Sequence, residues 1–221
     1  MEGNTMKDGI IFDMDGTLWD ACEVIAESWN VYLGKVQPEL EGIVTETLIR
    51  NACGLPMDKL GEKVLYSVAD PELRMRLTEG CCEYEVEYMQ TRCGNLYEGE
   101  AEVLAALKKH YHLYIVSNCQ VGYIEDYMAT SGCAEYFEDF QNFGMNGKQK
   151  DENIRILMER NKLDRAVYVG DILGDMRSSE KAGVPFLHAA YGFGEVPEGT
   201  PFINSLRELP ETVGQFFPEV K

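Results

Sequence analysis

Asp13 and Asp15 stand two residues apart, directly after a short apolar run. On a locally extended chain their side chains point to the same side, where two carboxylates repel each other unless a cation lies between them. Mg²⁺ would relieve this repulsion, because it prefers carboxylate, carbonyl and water oxygens and commonly shares a phosphate oxygen with its substrate. The pair therefore predicts a Mg²⁺ site.

Two further acids, Asp171 and Asp175, follow a second apolar run at residues 166–170. They could supply further carboxylates to the predicted Mg²⁺ site. Gly16 allows the chain to turn sharply after Asp15. An Asp-Gly turn or a helix-capping acid alone has a purely structural explanation. That explanation does not account for acids at the ends of separate strands, so we predict that all four contribute to one site.

Other polar residues could hold a phosphate. Ser117 and Asn118 follow an apolar run and precede a predicted helix, where a hydroxyl, an amide and free N–H groups can bind phosphate oxygens. A phosphoryl group in transfer also needs a fixed positive charge, for which Lys148 and Lys150 are candidates just before another predicted helix. We favour Lys150, although either residue alone could be a solvated surface lysine.

The apolar periodicity predicts the elements that position these residues. Short apolar runs predict strands at residues 9–13, 112–117, 166–170 and 184–189, and three- and four-residue spacing predicts helices at 20–33, 101–109, 121–131, 152–160 and 175–182. Residues 38–90 show only helical spacing, which indicates an all-helical insert after the first strand. Alternating strands and helices predict an α/β fold with a doubly wound parallel sheet. Ligands of such sheets bind beyond the carboxyl ends of the strands, where the polar residues above are expected.

Composition excludes several classes of protein. The 221-residue chain is 45% hydrophobic and 26% charged, which is unlike a disordered, collagen-like or membrane protein. Its net charge of −18 repels nucleic acids and anionic membranes, so we expect neither as a partner. Seven cysteines without zinc-type spacing, and a start unlike a secretory signal, predict a cytoplasmic protein with reduced thiols. The oligomeric state is left open.

Four segments resemble the motifs of the haloacid dehalogenase (HAD) superfamily, in order and at fitting spacings. They are DMDGTLWD at 13–20, VSN at 116–118, a lysine ahead of ENIRILMERN, and VGDILGD at 169–175. The resemblance covers essentially the whole chain. It implies a Rossmann-like core formed by residues 1–19 and 92–221 and a small helical cap at 20–91, with Trp19 and Asp20 opening the turn into the cap. Gly54-Leu55-Pro56 followed by a helix resembles the phosphoglycolate-phosphatase-like branch.

The resemblance implies catalytic roles for the first two acids. Asp13 would be the nucleophile that forms an aspartyl phosphate. Asp15 would protonate the leaving alcohol and then activate water, and both roles are chemically reasonable. The implied function is a Mg²⁺-dependent phosphatase that hydrolyses small organic phosphate monoesters, with a small phosphorylated metabolite as its partner.

The resemblance also implies which residues bind the phosphoryl group and the metal. The phosphoryl-binding residues would be Ser117, Asn118 and Lys150, and the Mg²⁺ ligands would be the Asp13 side chain, the Asp15 carbonyl and Asp171, with Asp175 behind them or bound through water. The binding lysine of this branch is commonly followed by proline. Because Gln149 and Asp151 occupy the two possible places here, the choice between Lys148 and Lys150 stays open. Three cations of the insert, Arg50, Lys59 and Lys63, are expected to be solvated.

Two alternative functions remain. Relatives of β-phosphoglucomutase carry a histidine five residues after the aspartate that corresponds to Asp20, and this chain has Ile25 there, so a phosphomutase is the alternative enzyme. An aspartate at a strand end with a serine and a lysine also resembles a receiver domain, a non-enzymatic module that accepts a phosphoryl group. The helical insert and Asp15 favour an enzyme, because a second acid promotes hydrolysis.

Overall fold

The computed structural model describes residues 6–55 and 57–218, and six parallel strands form its central sheet. The strands of the described residues are β1 (Asp8–Phe12), β2 (Trp19–Asp20), β3 (Asn95–Leu96), β4 (His112–Ser117), β5 (Phe137–Asn142), β6 (Arg165–Gly170), β7 (Phe186–Ala189) and β8 (Phe202–Ile203). The sheet order is β5-β4-β1-β6-β7-β8, and every neighbouring pair is parallel. The predicted doubly wound α/β fold is confirmed.

Helices cover the sheet and form the insert. Those of the described residues are α1 (Cys22–Val36), α2 (Glu46–Arg50), α3 (Met57–Val64), α4 (Pro71–Met89), α5 (Glu100–Leu107), α6 (Tyr123–Ser131), α7 (Phe143–Asn146), α8 (Lys150–Asn161), α9 (Leu173–Ala182) and α10 (Leu209–Thr212). Single 3₁₀ turns lie at Pro38–Leu40, Ala134–Tyr136, Leu206–Glu208 and Val213–Phe216. No helix within 6–55 and 57–218 combines the length and apolar character needed to cross a bilayer.

The central strand β1 is buried on both faces. Ile10 and Phe12 belong to the larger hydrophobic core, whereas Ile11 packs into a second core on the opposite face. All three side chains are fully buried, as expected for a strand in a parallel sheet that has helices on both sides. The apolar run that predicted this strand is therefore a consequence of two-sided burial.

The position of β1 also creates the crevice at the sheet edge. β1 pairs with β4 on one side and with β6 on the other, so strand order reverses beside it. Phe12 is opposite both Ile115 and Val169, which brings three strands to their carboxyl ends at nearly the same level. A ligand crevice is expected at this switch point.

The helical insert lies between two short strands that were not predicted. β2 pairs antiparallel with β3, with Trp19 opposite Leu96 and Asp20 opposite Asn95. Between these strands, the described residues form helices and no strand, and α1 packs against α2 and α4. The insert is thus helical as predicted. The division into a core at 1–19 and 92–221 and a cap at 20–91 stays a prediction.

Candidate active site

Asp13 lies at the end of β1 in the centre of the sheet edge. Its backbone N–H donates to the carbonyl of Val169 in β6 at 2.9 Å, which continues the strand pairing by one residue. The side chain is only 4% exposed. Because Asp171 follows β6 directly, the pairing of the two strands places both acids at the same edge.

Lys150, the first residue of α8, is buried beside Asp13. Its Nζ lies 2.9 Å from Asp13 Oδ1 and 2.5 Å from Asp175 Oδ1. Lys148 is exposed instead, with its Nζ 3.9 Å from Glu152 Oε1. Of the two candidate lysines, the structure thus brings Lys150 to the acids.

Burial disfavours the charged forms of Asp13 and Lys150, and their neighbours modify that effect. Burial and the charge of Asp175 raise the pKa of Asp13, Lys150 lowers it, and the net result is a pKa of about 6. Burial disfavours the charged form of Lys150, but Asp13 and Asp175 outweigh that penalty and hold its pKa well above the usual range. Lys150 is therefore a fixed positive charge between two carboxylates.

Asp171 and Asp175 are held by backbone N–H groups. Asp175 Oδ2 accepts from the N–H groups of Asp171 and Ile172, both at 3.2 Å. Asp171 Oδ2 accepts from the N–H of Phe193 at 2.7 Å. Burial, together with the charges of Asp175 and Asp13, raises the pKa of Asp171 to about 9.

Two glycines make room for Asp171. Gly16 has a positive φ of 82°, and a Cβ there would lie 2.0 Å from Asp171 Oδ2. A Cβ at Gly192 would lie 2.3 Å from the Cβ of Asp171. The run Gly192-Phe193-Gly194 after a strand is a weak sequence signal for the rim of a site, because two glycines around an aromatic residue more often form a turn.

The buried carboxylates suit a divalent cation. Asp13, Asp171 and Asp175 each offer an oxygen, and these oxygens lie within 4.8 Å of one another. Asp171 Oδ1 is buried and has no hydrogen-bond partner among the described residues. A hard divalent ion fits this donor set, because it prefers oxygen ligands and would balance the negative charge that Lys150 leaves uncompensated.

Asp15 lies outside this group of three carboxylates. Its Oδ1 accepts a hydrogen bond from the hydroxyl of Tyr123, at the start of α6, at 2.7 Å. Burial, with a smaller contribution from the charge of Asp13, raises the pKa of Asp15 to about 7 despite that hydrogen bond. An acid with this pKa can both give and take a proton near neutral pH. Tyr123 was not predicted, since an aromatic residue at a helix start carries no distinctive sequence signal.

Ser117 and Asn118 lie at the end of β4. The Ser117 side chain is buried at the edge of the cavity described below. The Asn118 Nδ2 donates to the carbonyl of Gly54 in the insert at 3.1 Å, and its Oδ1 has no partner among the described residues. Asn118 therefore connects the sheet edge to the insert. Pro56 of the Gly54-Leu55-Pro56 motif lies outside the described residues.

A cavity of about 80 Å³ separates the sheet edge from the insert. The sheet side contributes Asp13, Asp15, Ser117, Asn118, Cys119, Gln120 and Tyr123, and the insert contributes Ile25, Trp29, Ile49, Ala52, Cys53, Gly54, Leu55, Leu60, Cys82 and Glu85. This space can hold several water molecules. Two of the four acids that the sequence singled out, Asp13 and Asp15, therefore border this pocket.

Glu85 of α4 is a pocket residue that the sequence prediction missed. It accepts hydrogen bonds from Trp29 Nε1 at 2.7 Å and from Gln120 Nε2 at 2.9 Å. Burial raises its pKa to about 7, while both hydrogen bonds oppose the rise. Its position in α4, three and four residues from the buried Cys82, Cys81 and Met89, is a signal that could have identified it.

Arg50 is not simply solvated, contrary to expectation. Its Nη2 lies 2.7 Å from Asp20 Oδ2, and its guanidinium lies 4.6 Å from the ring centroid of Phe193. Arg50 thus links α2 both to the start of the insert and to the loop that binds Asp171.

A family-level sequence comparison matches residues 10–189 to haloacid dehalogenase-like hydrolases. The chain belongs to this family. The predicted superfamily and the prediction of a hydrolase are confirmed, and enzymes of this superfamily generally use a divalent metal. A search of curated proteins found no match.

Solved structures of this family share the fold. A predicted phosphatase from Clostridium acetobutylicum is 23% identical with a TM-score of 0.76, and the alignment covers 96% of this chain and 100% of that one. A predicted phosphoglycolate phosphatase from Haemophilus somnus is 20% identical with a TM-score of 0.78 and the same coverage. CbbY from Rhodobacter sphaeroides, solved with phosphate, is 19% identical with a TM-score of 0.71, covering 92% and 96%.

Proposed function

We propose that this HAD-family chain is a Mg²⁺-dependent phosphatase that hydrolyses small organic phosphate monoesters through an aspartyl-phosphate intermediate. The observation that carries the proposal is the buried contact between Asp13 and Lys150, beside Asp171 and across from Asp15. It holds a nucleophile against a fixed positive charge, and the nucleophile shares a cavity with a proton donor, Asp15. The structural neighbours include two predicted phosphatases, which supports the same activity class.

In the first step, a carboxylate oxygen of Asp13 forms a bond to the substrate phosphorus. The bond from phosphorus to the ester oxygen breaks, and Asp15 gives its proton to the departing alcohol oxygen. The pKa of Asp15 near 7 leaves a large fraction of the residue protonated at neutral pH, as a general acid requires. Lys150 and Ser117 would bind oxygens of the phosphoryl group during this transfer.

The second step releases phosphate. Asp15, now ionised, takes a proton from a water molecule, and the water oxygen bonds to the phosphorus while the bond to the Asp13 oxygen breaks. Inorganic phosphate leaves, Asp13 regains its carboxylate and Asp15 regains its proton. The insert lines one side of the pocket and supports this order, because it would limit how much water reaches the phosphoryl group during the first step.

The metal would be held by Asp13, Asp171 and the backbone carbonyl of Asp15, with Asp175 bound through water. When bound, Mg²⁺ supplies positive charge that offsets the phosphoryl oxygens and the buried carboxylates. Asp175 also positions Lys150 through the 2.5 Å contact. We further propose the division into a catalytic core at 1–19 and 92–221 and a cap at 20–91, and a cytoplasmic location, which the seven free cysteines support.

Hydrolysis is favoured over the phosphomutase alternative by one residue. Ile25 lines the cavity, at the place where the mutase relatives carry a histidine. An isoleucine cannot exchange protons with a sugar hydroxyl. Water is then the expected acceptor of the phosphoryl group.

The decisive experiment measures phosphate released from acetyl phosphate and small phosphate esters, with Mg²⁺ or with EDTA, for the wild type and Asp13→Asn. We expect metal-dependent release and a loss of about 10⁴-fold or more in the variant, because no other group can form the covalent intermediate. Lys148→Met is the matched control and should retain activity within about twofold, since Lys148 is exposed. Release that persists in a folded Asp13→Asn protein would refute the proposal.

A further inference from the structure

The insert side of the cavity has an unusual charge pattern for an enzyme that binds anions. Its described lining residues are mostly apolar, and Glu85 is the single acidic or basic side chain among them. The thiols of Cys53 and Cys82 stay neutral, because their pKa values lie well above the usual range. The part of the ligand that contacts the insert therefore meets one carboxyl group in apolar surroundings.

Cations of the neighbouring segments are engaged elsewhere. Arg50 pairs with Asp20 and Glu46, and Lys63 donates to the carbonyl of Asn51. Lys150 lies at the sheet edge between Asp13 and Asp175. Among the described residues that line the cavity, none is a lysine, arginine or histidine. A second anionic group on the substrate would thus have no cation to meet it there.

Glu85 is held in position for a contact in the cavity. Trp29 and Gln120 each donate one hydrogen bond, one to each carboxylate oxygen. A carboxylate can accept about four hydrogen bonds, so both oxygens retain acceptor capacity. Trp29 comes from α1 and Gln120 from the loop after β4, so the carboxyl group is fixed from both sides of the pocket.

We propose that Glu85 binds a positively charged group on the alcohol part of the substrate, so that the preferred substrates are phosphate monoesters of small amino alcohols. This inference rests on the phosphatase function proposed above. A buried carboxylate without a counter-charge is unfavourable, and an ammonium group of the ligand would neutralise it. An anionic alcohol part, such as the carboxylate of phosphoglycolate, would instead meet like charge.

The charge of the whole protein favours the same class. With a net charge of −18, the chain repels a ligand that carries a phosphate and a second anion more strongly than a zwitterion. The apolar side chains of Ile25, Trp29 and Leu60 suit the short methylene chain that links a phosphate to an ammonium group.

Three esters of similar size test the inference: 2-aminoethyl phosphate, 2-hydroxyethyl phosphate and 2-phosphoglycolate. For the wild type with Mg²⁺, kcat/KM should be about tenfold or more higher for the aminoethyl ester than for the hydroxyethyl ester, and lowest for phosphoglycolate. In Glu85→Gln, kcat/KM for the aminoethyl ester should fall about 10- to 100-fold. The values for the hydroxyethyl ester and for acetyl phosphate should change less than about threefold, because neither has a cation for Glu85 to bind.

Glu100→Gln is the matched control, because Glu100 is also a buried acid but does not line the cavity. It should leave the order of the three esters unchanged. A wild-type preference for phosphoglycolate, or an equal loss on all esters in Glu85→Gln, would overturn the inference, and the first result needs no variant. Acetyl phosphate separates the two proposals: if the wild type hydrolyses it and Asp13→Asn does not, the phosphatase function stands even when this inference fails.

Discussion

The two sides of the active-site cavity balance their charges in different ways. On the sheet side, Lys150 contacts Asp13 and Asp175 within hydrogen-bonding distance, and backbone N–H groups donate to Asp175 Oδ2 and Asp171 Oδ2. On the insert side, Glu85 has only neutral donors, Trp29 and Gln120. One side therefore carries its own counter-charge, whereas the other leaves a carboxyl group for which a ligand can supply one.

This difference follows from the elements that position each side. The acids of the sheet side stand at the ends of paired parallel strands, whose register fixes where their carboxylates lie. The insert side is built from helix faces and from the turn at residues 51–55, where a change of one side chain alters the pocket without disturbing the sheet. We infer that the sheet side performs the chemistry of the family and that the insert side selects the alcohol part of the substrate.

Removing the counter-charge of the sheet side should have the largest effect. In Lys150→Met, Asp13 and Asp175 remain buried without their cation, which should lower the free energy of unfolding by about 3–5 kcal/mol. The phosphoryl group also loses a fixed positive charge, so we expect kcat to fall about 10²- to 10³-fold. Urea denaturation and phosphate release, measured on the same preparation, test both expectations.

Lys148→Met serves again as the control for this experiment. It removes the same charge two residues earlier, where Lys148 is exposed, so both quantities should stay close to those of the wild type. If Lys150→Met were as stable and active as Lys148→Met, the sheet side would not depend on an internal counter-charge.

The sheet side could be predicted from the sequence and the insert side could not. Asp13 and Asp171 follow apolar runs, and parallel strands bring such positions together. The choice between Lys148 and Lys150 could be made only once the first residue of α8 was known. That residue is Lys150, and its side chain contacts the buried Asp13. The β2–β3 pair was missed because two-residue strands leave no periodicity, although together they connect the insert to the core.

Glu85 was missed for a different physical reason. Helix α4 carries several other glutamates, and those at Glu72, Glu79, Glu83 and Glu87 are exposed. Which face of α4 borders the cavity depends on how the helices of the insert pack together, and local spacing does not determine that arrangement. The spacing from Cys82, Cys81 and Met89 places Glu85 on their face of α4, but only the tertiary contacts show that this face borders the cavity.

The buried carboxyl of the insert side should also make stability depend on pH. Glu85 loses its proton near its ordinary pKa of 4.5 in the unfolded chain but near 7 in the folded one. Between these values the folded state binds more protons, so the free energy of unfolding falls as pH rises from about 5 to 8, by an amount on the order of 3 kcal/mol. Glu85→Gln should reduce this fall, as measured by urea denaturation at both pH values.

Glu100→Gln should change the pH dependence in the same direction, because burial also raises the pKa of Glu100 to about 7. The two variants would then share a stability effect, and only Glu85→Gln would alter the order of the three esters. A pH dependence unchanged in Glu85→Gln would mean that this carboxyl is already ionised in the folded protein at pH 5. The insert side would then carry a permanent charge without a partner.

The smallest effect is expected at Arg50, which connects the two sides without lining the cavity. Its ion pair with Asp20 is partly exposed, and its contact with the Phe193 ring adds little, so Arg50→Ala should lower the free energy of unfolding by about 1 kcal/mol or less. Arg50 would hold the insert against the sheet rather than touch the ligand. We therefore expect kcat/KM to fall by about two- to fivefold, equally for 2-aminoethyl phosphate, 2-hydroxyethyl phosphate and 2-phosphoglycolate. A selective loss on phosphoglycolate would instead show that Arg50 leaves Asp20 to bind an anionic substrate. In that case the insert side would supply a cation of its own, and the charge difference between the two sides of the cavity would disappear when substrate binds.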